Sequence, residues 1–341
     1  MSAEEERIEV AAPAKINLRL EILGRRENGY HDIRSVVVPI SLCDTVLLRK
    51  CRAGVNAAIE SGSTGEGFAL NGLALNGQAP ALPAAEKNLA TRAALALREA
   101  TGYEGGVRIF VRKRIPIGGG LGGGSADAAA VLNGLNALWG TGLSRQDLMR
   151  IGARLGSDIT ALVHGGPILV EGLGEKVTPL RVGRRIAQAG ERNDAAEAAV
   201  VRDSGWWLVV MNPGFSVSTA DIYSRHRLCL TSPEEDTRSM ISLLEQGNLD
   251  AVAGSLFNSL EQTVIRKFPL IGIIKEALNG AGAAGALLSG SGASVFGLAR
   301  HREHALEVGE SAAARLGWAV WWRVARILPD SVTAAHGPLE A

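Results

Sequence analysis

Residues 114–127, Arg114-Ile-Pro-Ile-Gly-Gly-Gly-Leu-Gly-Gly-Gly-Ser-Ala-Asp127, constrain this chain more than any other stretch. Six glycines fall within the seven positions 118–124, and a helical pattern follows at once. Glycine lets the backbone turn sharply and approach a ligand without interference from a Cβ. A glycine loop running into a helix aims several free N–H groups, and the positive end of the helix dipole, at one point. In physical terms that is a phosphate site.

The flanks predict a strand, a loop and a helix. Val107, Ile109 and Val111 alternate with Arg108, Phe110 and Arg112, which suits a strand that Pro116 stops. Ala128, Val131, Leu132, Leu135, Leu138 and Trp139 recur at helical spacing over 126–139, and Gly140 suits a C-terminal cap. Other glycine motifs fit less well. A P-loop needs Gly-Lys-Ser/Thr at its end, and Gly123-Gly124-Ser125 has no lysine. Gly118, Gly120 and Gly123 match a dinucleotide fingerprint letter for letter, but the acidic residue at the right distance, Asp147, reads as part of a helix start. A purely structural glycine turn stays open as the bland alternative.

The rest of the chain reads as strands grouped beside helices, hence α+β rather than a doubly wound sheet. Strands are expected over residues 8–20, with Pro13 as a bend, and over 36–40, 45–48 and 208–211. Helices are expected over 88–99, with Leu89, Ala93, Leu95 and Ala96 inward, and after Ser144, with Leu148, Ile151, Ala153 and Leu155 inward and Gly156 ending it. Further helices are expected over 242–247, 250–256 and 269–278. Asp158 is expected just past a helix end. Leu287-Leu-Ser-Gly-Ser-Gly-Ala-Ser-Val-Phe296 is a second glycine turn between apolar runs. Residues 52–85 read as strands and loops, 181–205 as a mobile, solvated insertion, and the tail after about 328 as loose.

At 341 residues the chain is long enough for two domains sharing a cleft, expected at 1–170 and 171–330, with a tail at 331–341. A net charge of +1 gives no general pull toward nucleic acid or an anionic membrane. Cys43, Cys51 and Cys229 are scattered, which fits a reducing cytoplasm. No apolar run reaches the roughly 18 residues of a membrane span, and the acidic start reads as no secretory signal. His301 and His304 read as decoration of a solvated helix face rather than metal ligands.

Three segments, in this order, resemble the motifs of the GHMP kinases. They are Pro13-Ala-Lys-Ile-Asn-Leu18, Pro116 to Asp127, and Leu288-Ser-Gly-Ser-Gly-Ala-Ser294. Gly29-Tyr-His-Asp-Ile33, Lys87-Asn-Leu89, Leu155-Gly-Ser-Asp158, Gly172-Leu-Gly-Glu175 and Asn212-Pro-Gly214 with Thr219 are similar to a branch whose acceptor is a methylerythritol unit carrying a cytidine diphosphate. The resemblance implies a two-domain fold with ATP and substrate sites in the cleft between domains, and transfer of the ATP γ-phosphoryl group to the acceptor's 2-hydroxyl.

It also implies roles. Pro116, Gly118, Gly119, Gly120, Gly122, Gly123, Gly124 and Ser125, with Asn88, would bind ATP, and Ser125 would reach Mg²⁺. Asp158 would orient the acceptor hydroxyl and take its proton, with Lys15 beside it. Read alone, Lys15 is a surface lysine at a strand edge and Asp158 a helix-end cap. Tyr30 would stack on the cytosine and His31 bond its edge, with Tyr223 as a second aromatic partner and Asn17 and Thr219 as polar contacts. The turn at Ser289–Gly292 would support the phosphate loop. A monomer or homodimer is expected, with no nucleic-acid or membrane partner.

Two segments depart from the pattern. Ile159-Thr-Ala-Leu-Val163 stands where Val-Pro and aromatics are usual, and Asn258-Ser-Leu-Glu261 where Asn-Asp-Leu-Glu is frequent. Two other readings stand beside this one: another GHMP kinase acting on homoserine, mevalonate or a sugar, and a non-catalytic nucleotide-binding relative.

Overall fold

The computed structural model describes residues 6–27, 29–51, 59–65, 88–183, 206–226 and 234–328. Most of 52–85, 184–205 of the expected insertion, Cys229 and the tail beyond 328 lie outside the described residues.

The first sheet is built on two long antiparallel strands, β1 (Arg7–Arg25) and β2 (His31–Cys51). The two short strands expected at 36–40 and 45–48 are parts of the single strand β2. β3 (Ile59–Gly65) and β4 (Gly106–Lys113) extend the sheet beyond the second half of β2. β5 (Ile168–Gly172) and β6 (Lys176–Pro179) extend it beside the first half.

α1 (Leu89–Thr101) is capped by the Asn88 side chain, which accepts a bond from Ala90 N. Ala93 is buried and Leu89 and Ala96 pack against the core as expected, whereas Leu95 is exposed and Leu97 is buried instead. α2 (Gly123–Trp139) follows the glycine loop and starts three residues before the apolar pattern does, because glycines form its first turn. It sits close on the sheet at Gly134, where a Cβ would come within 2.5 Å of Leu48. α3 (Arg145–Ala153) begins with a full capping box between Ser144 and Asp147. Leu148 and Ile151 are buried as expected, whereas Ala153 is exposed. α4 (Ser157–His164) follows directly, so Asp158 lies in the first turn of a new helix rather than beyond the end of an old one.

The second half places β7 (Trp207–Asn212), β9 (Gly285–Leu288), β10 (Val295–Ala299) and β11 (Trp321–Arg326) in a four-stranded antiparallel sheet ordered β11-β7-β10-β9. The short β8 (Phe257–Asn258) instead joins the first sheet, parallel to β1. Around these pack α5 (Thr219–Arg225), α6 (Glu234–Glu245), α7 (Leu249–Gly254), α8 (Glu261–Lys267), α9 (Pro269–Gly280) and α10 (Arg302–Leu316). α6 begins eight residues before the helix expected there. His301 caps α10, its ring accepting a bond from His304 N.

One core, centred on Ile16, Leu18, Leu48, Leu132 and Leu135, fills the space under α1 and α2. A second, around Val209, Ile274, Leu278 and Val308, lies between the four-stranded sheet and helices α9 and α10. Among the described residues no helix is long and apolar enough to cross a membrane.

Candidate active site

The glycine loop closes one wall of a cleft of about 440 Å³. Gly122 is the cap residue of α2 in the left-handed region (φ +69°) and supplies no capping side chain. The first N–H groups of α2 therefore have no intrahelical acceptor, and Gly123, Gly124 and Ser125, which carry them, line the cleft. Gly120 (φ +76°) sits where a Cβ would lie 2.2 Å from the Ser289 carbonyl oxygen, so no other residue fits. That contact is with the second glycine turn, as expected of a support. Ser289 Oγ donates to Gly120 O (3.0 Å) and Ser294 N to Gly119 O (3.0 Å).

β1 brings Lys15 and Asn17 to the same wall. Lys15 stands opposite Pro39, which has no N–H, and next to a register shift after Pro13. Its own N–H bonds Leu121 O in the loop (3.0 Å). The Lys15 side chain is 5% exposed. Its ammonium donates to Asn17 Oδ1 (2.8 Å) and lies 3.4 Å from Asp158 Oδ2. Asn17 Nδ2 in turn donates to Ser35 Oγ (2.8 Å). Lys15 is thus buried and fixed rather than a surface lysine, and the Asp158 side chain keeps 41% of its surface exposed.

Across the cleft stand Thr219 and Tyr223 on α5. Thr219 shares a hydrogen bond with Ser291 (2.8 Å). Burial, then the charge of Asp158, pushes the Tyr223 hydroxyl up to about 12. The His31 ring is tilted against Tyr223, centroids 5.3 Å apart, and burial together with Arg25 holds its pKa below the usual histidine value. Tyr30, next to it in the β1–β2 connection, is 66% exposed. Asn88, Pro116, Gly118, Gly119, Gly123, Gly124 and Ser125 all line the cleft, whereas Tyr30 and His31 lie outside its lining.

The sequence reading missed a buried charge cluster at the loop's base. Lys113 Nζ donates to Asp44 Oδ2 (2.5 Å) and Asp127 Oδ2 (2.7 Å). Lys113 and Asp127 line the cleft. Burial pushes Asp127 up to about 7, with Lys113 opposing and Asp44 adding to the rise. Lys113 is held above its ordinary value, since the two carboxylates outweigh its own burial. A signal existed: the alternation Val107, Ile109, Val111 puts residue 113 on the buried face.

The departures have physical accounts. Ile159 fills the space left by Gly152, where a Cβ would lie 2.8 Å from it. Ser259 Oγ accepts a bond from Ile22 N (3.1 Å). Its neighbours hold the second glycine turn. Asn258 donates to Leu288 O and Gly290 O, and Glu261 accepts from Leu288 N.

A helix-capping glycine loop facing a buried lysine and an aspartate, in a cleft closed by a second glycine turn, defines a phosphotransferase of the GHMP class. Residues 88–166 match the GHMP kinases N terminal domain and residues 240–316 the GHMP kinases C terminal. The chain belongs, within these ATP-dependent small-molecule kinases, to the 4-diphosphocytidyl-2-C-methyl-D-erythritol kinase family. It is 40% identical over 297 residues to that kinase of Symbiobacterium thermophilum, covering 87% of this chain and 92% of the relative. It is 39% identical over 310 residues to that of Geobacter metallireducens, covering 91% and 95%. A crystal structure of 4-(cytidine 5'-diphospho)-2C-methyl-D-erythritol kinase superposes with TM-score 0.65 at 31% identity, covering 94% of this chain and 99% of that one. The homoserine kinase of Cytophaga hutchinsonii, at 20% identity and TM-score 0.69, shares the fold.

Proposed function

We propose that this chain transfers the γ-phosphoryl group of ATP to the 2-hydroxyl of 4-diphosphocytidyl-2-C-methyl-D-erythritol, a step of the non-mevalonate route to isoprenoid precursors. The observation that carries the reading is the placement of Lys15 and Asp158, 3.4 Å apart, in the cleft lined by the glycine loop. Phosphoryl transfer needs alignment and charge neutralisation more than covalent help. Amides at 118–124 bind the β- and γ-phosphates. The acceptor oxygen attacks the γ-phosphorus, the bond to the β,γ-bridging oxygen breaks, and ADP leaves. The hydroxyl proton passes to the Asp158 carboxylate. The Lys15 ammonium stabilises negative charge on the acceptor oxygen and the moving group.

Mg²⁺ takes its ligands mainly from phosphate oxygens and water, with one or two from protein. The Ser125 hydroxyl at the start of α2 suits that need. No group of three or more His, Cys, Asp or Glu side chains among the described residues offers a separate metal site. The ion neutralises phosphate charge when bound.

His31 and Tyr223 provide an aromatic surface for the cytosine, with Tyr30 covering it from the solvent side and Asn17 and Thr219 contacting the acceptor. A coupled ADP-release assay with the cytidine-bearing acceptor, homoserine, mevalonate and galactose tests the reading. Turnover of the cytidine substrate alone is expected, and turnover of another acceptor or of none overturns it. Asp158→Asn lowers kcat by about 10²–10⁴-fold with nucleotide affinity kept. A near-normal kcat removes Asp158 from the chemistry.

A further inference from the structure

A run of glycines is the least ordered sequence a chain can carry. To bind a triphosphate tightly it must be held in shape beforehand, since ordering on binding subtracts from affinity. One hold is the second glycine turn, which grips the middle of the loop. The other lies beneath its entry, in β2.

Asp44 is 0% exposed, and it does not line the cleft. A carboxylate so deeply buried is stable only with its oxygens bonded. Oδ1 accepts two consecutive backbone N–H groups, from Arg114 (2.5 Å) and Ile115 (2.9 Å), just where the chain leaves β4 for the loop. Oδ2 accepts from Lys113 Nζ (2.5 Å), and the same ammonium reaches Asp127 Oδ2 (2.7 Å) on α2, beyond the loop. One carboxylate thus fixes the loop's entry directly and its exit through Lys113. Gly123 rests against this assembly: a Cβ there would come within 3.0 Å of Ile115 and 3.5 Å of Lys113 Nζ.

We propose that Asp44 is a positioning residue for nucleotide binding: it holds both ends of the glycine loop so that the amides are aligned before the triphosphate arrives. This rests on the reading of the loop as the triphosphate site. Asp44 touches neither nucleotide nor acceptor and acts only through residues 113–115 and 127.

The test is Asp44→Asn in the full chain. The amide oxygen still serves the two N–H groups, but its NH₂ faces the Lys113 ammonium. The expected result is an affinity for the nonhydrolysable analogue AMP-PNP about tenfold weaker or more, with the KM of the cytidine acceptor within about twofold of the parent's. Unchanged AMP-PNP affinity in the folded variant overturns the proposal. So does an equal loss for nucleotide and acceptor, the pattern of general destabilisation.

If the variant does not fold, hydrogen exchange on the parent decides. The Arg114 and Ile115 amides should be protected before nucleotide is added, and exchange at unprotected rates overturns the proposal. Hydrogen exchange of the parent with and without AMP-PNP separates this failure from failure of the underlying reading. If AMP-PNP adds no protection at residues 118–124, the triphosphate lies elsewhere. If it protects them while Asp44→Asn keeps the parent's affinity, only the role of Asp44 is wrong.

Discussion

Burial pushes the Asp127 carboxyl up to about 7, although Lys113 works the other way. An acid whose folded value is raised adds stability that is complete below its unfolded value near 4 and is lost as pH rises through the folded value near 7. Asp127→Asn keeps an oxygen for Lys113 and removes the proton. Relative to the parent, this variant should therefore gain stability between roughly pH 4 and 7, by on the order of 1 kcal/mol per pH unit. Chemical denaturation of both proteins at pH 5 and pH 8 checks it. A constant difference across that range would mean that Asp127 is ionised throughout. Lys15 and Asp158 could be found from sequence because each sits in a short motif of its own. Asp44 could not. Its partners lie some 70 residues away, and neither Cys43 nor Thr45 marks it as part of a site.

At the level of elements, the loop is held from two sides. Residues 113–115 are fixed from β2, and the second glycine turn is fixed from β8 and α8. Asn258 is 5% exposed and bonds Leu288 O (2.9 Å), Gly290 O (2.8 Å) and Leu260 N (2.9 Å). Asn258→Ala leaves those three backbone groups buried and unpaired, so a loss of about 1–3 kcal/mol is expected. Weaker AMP-PNP binding should accompany it, because the turn contacts Gly119 and Gly120. An unchanged denaturation midpoint would contradict the role given to this side chain. Helices with strong local punctuation, such as α1 behind Asn88 and α3 behind Ser144, were legible from their caps. The start of α2 was not, since three glycines and polar residues carry no apolar period. The single strand β2 reads as two in sequence, 36–40 and 45–48, because Ser41-Leu-Cys-Asp44 between them breaks the apolar run. The long ladder with β1 overrides that local signal.

Across the whole molecule, the buried Arg19 ties the first sheet to α6 and to the backbone at Ser255. Arg19 on β1, 4% exposed, donates to Glu21 Oε1 (2.5 Å), to Asp236 on α6 (3.0 Å) and to Ser255 O (3.3 Å), and it lies over the Phe257 ring. Glu21 is 0% exposed, with Arg34 at 3.9 Å from its other oxygen. Arg19→Met strands most of that charge and should cost about 3–5 kcal/mol in chemical denaturation. The double variant Arg19→Met/Glu21→Leu should recover much of the loss. A double variant as unstable as the single one would show that Arg19 matters for its packing rather than its charge. The two-part α+β architecture was visible in the grouping of elements, but the crossing of β8 into the first sheet was not, because two residues carry no period.

The unequal exposure of Lys15 and Asp158 has a consequence for the catalytic cycle. The ammonium is walled in and the carboxylate looks outward, so if Asp158 takes the acceptor's proton as proposed, that proton has a direct route to bulk water that does not pass the fixed positive charge. On this reading the site rearms after each turnover by simple exchange with solvent, and no wall of the cleft has to move for it.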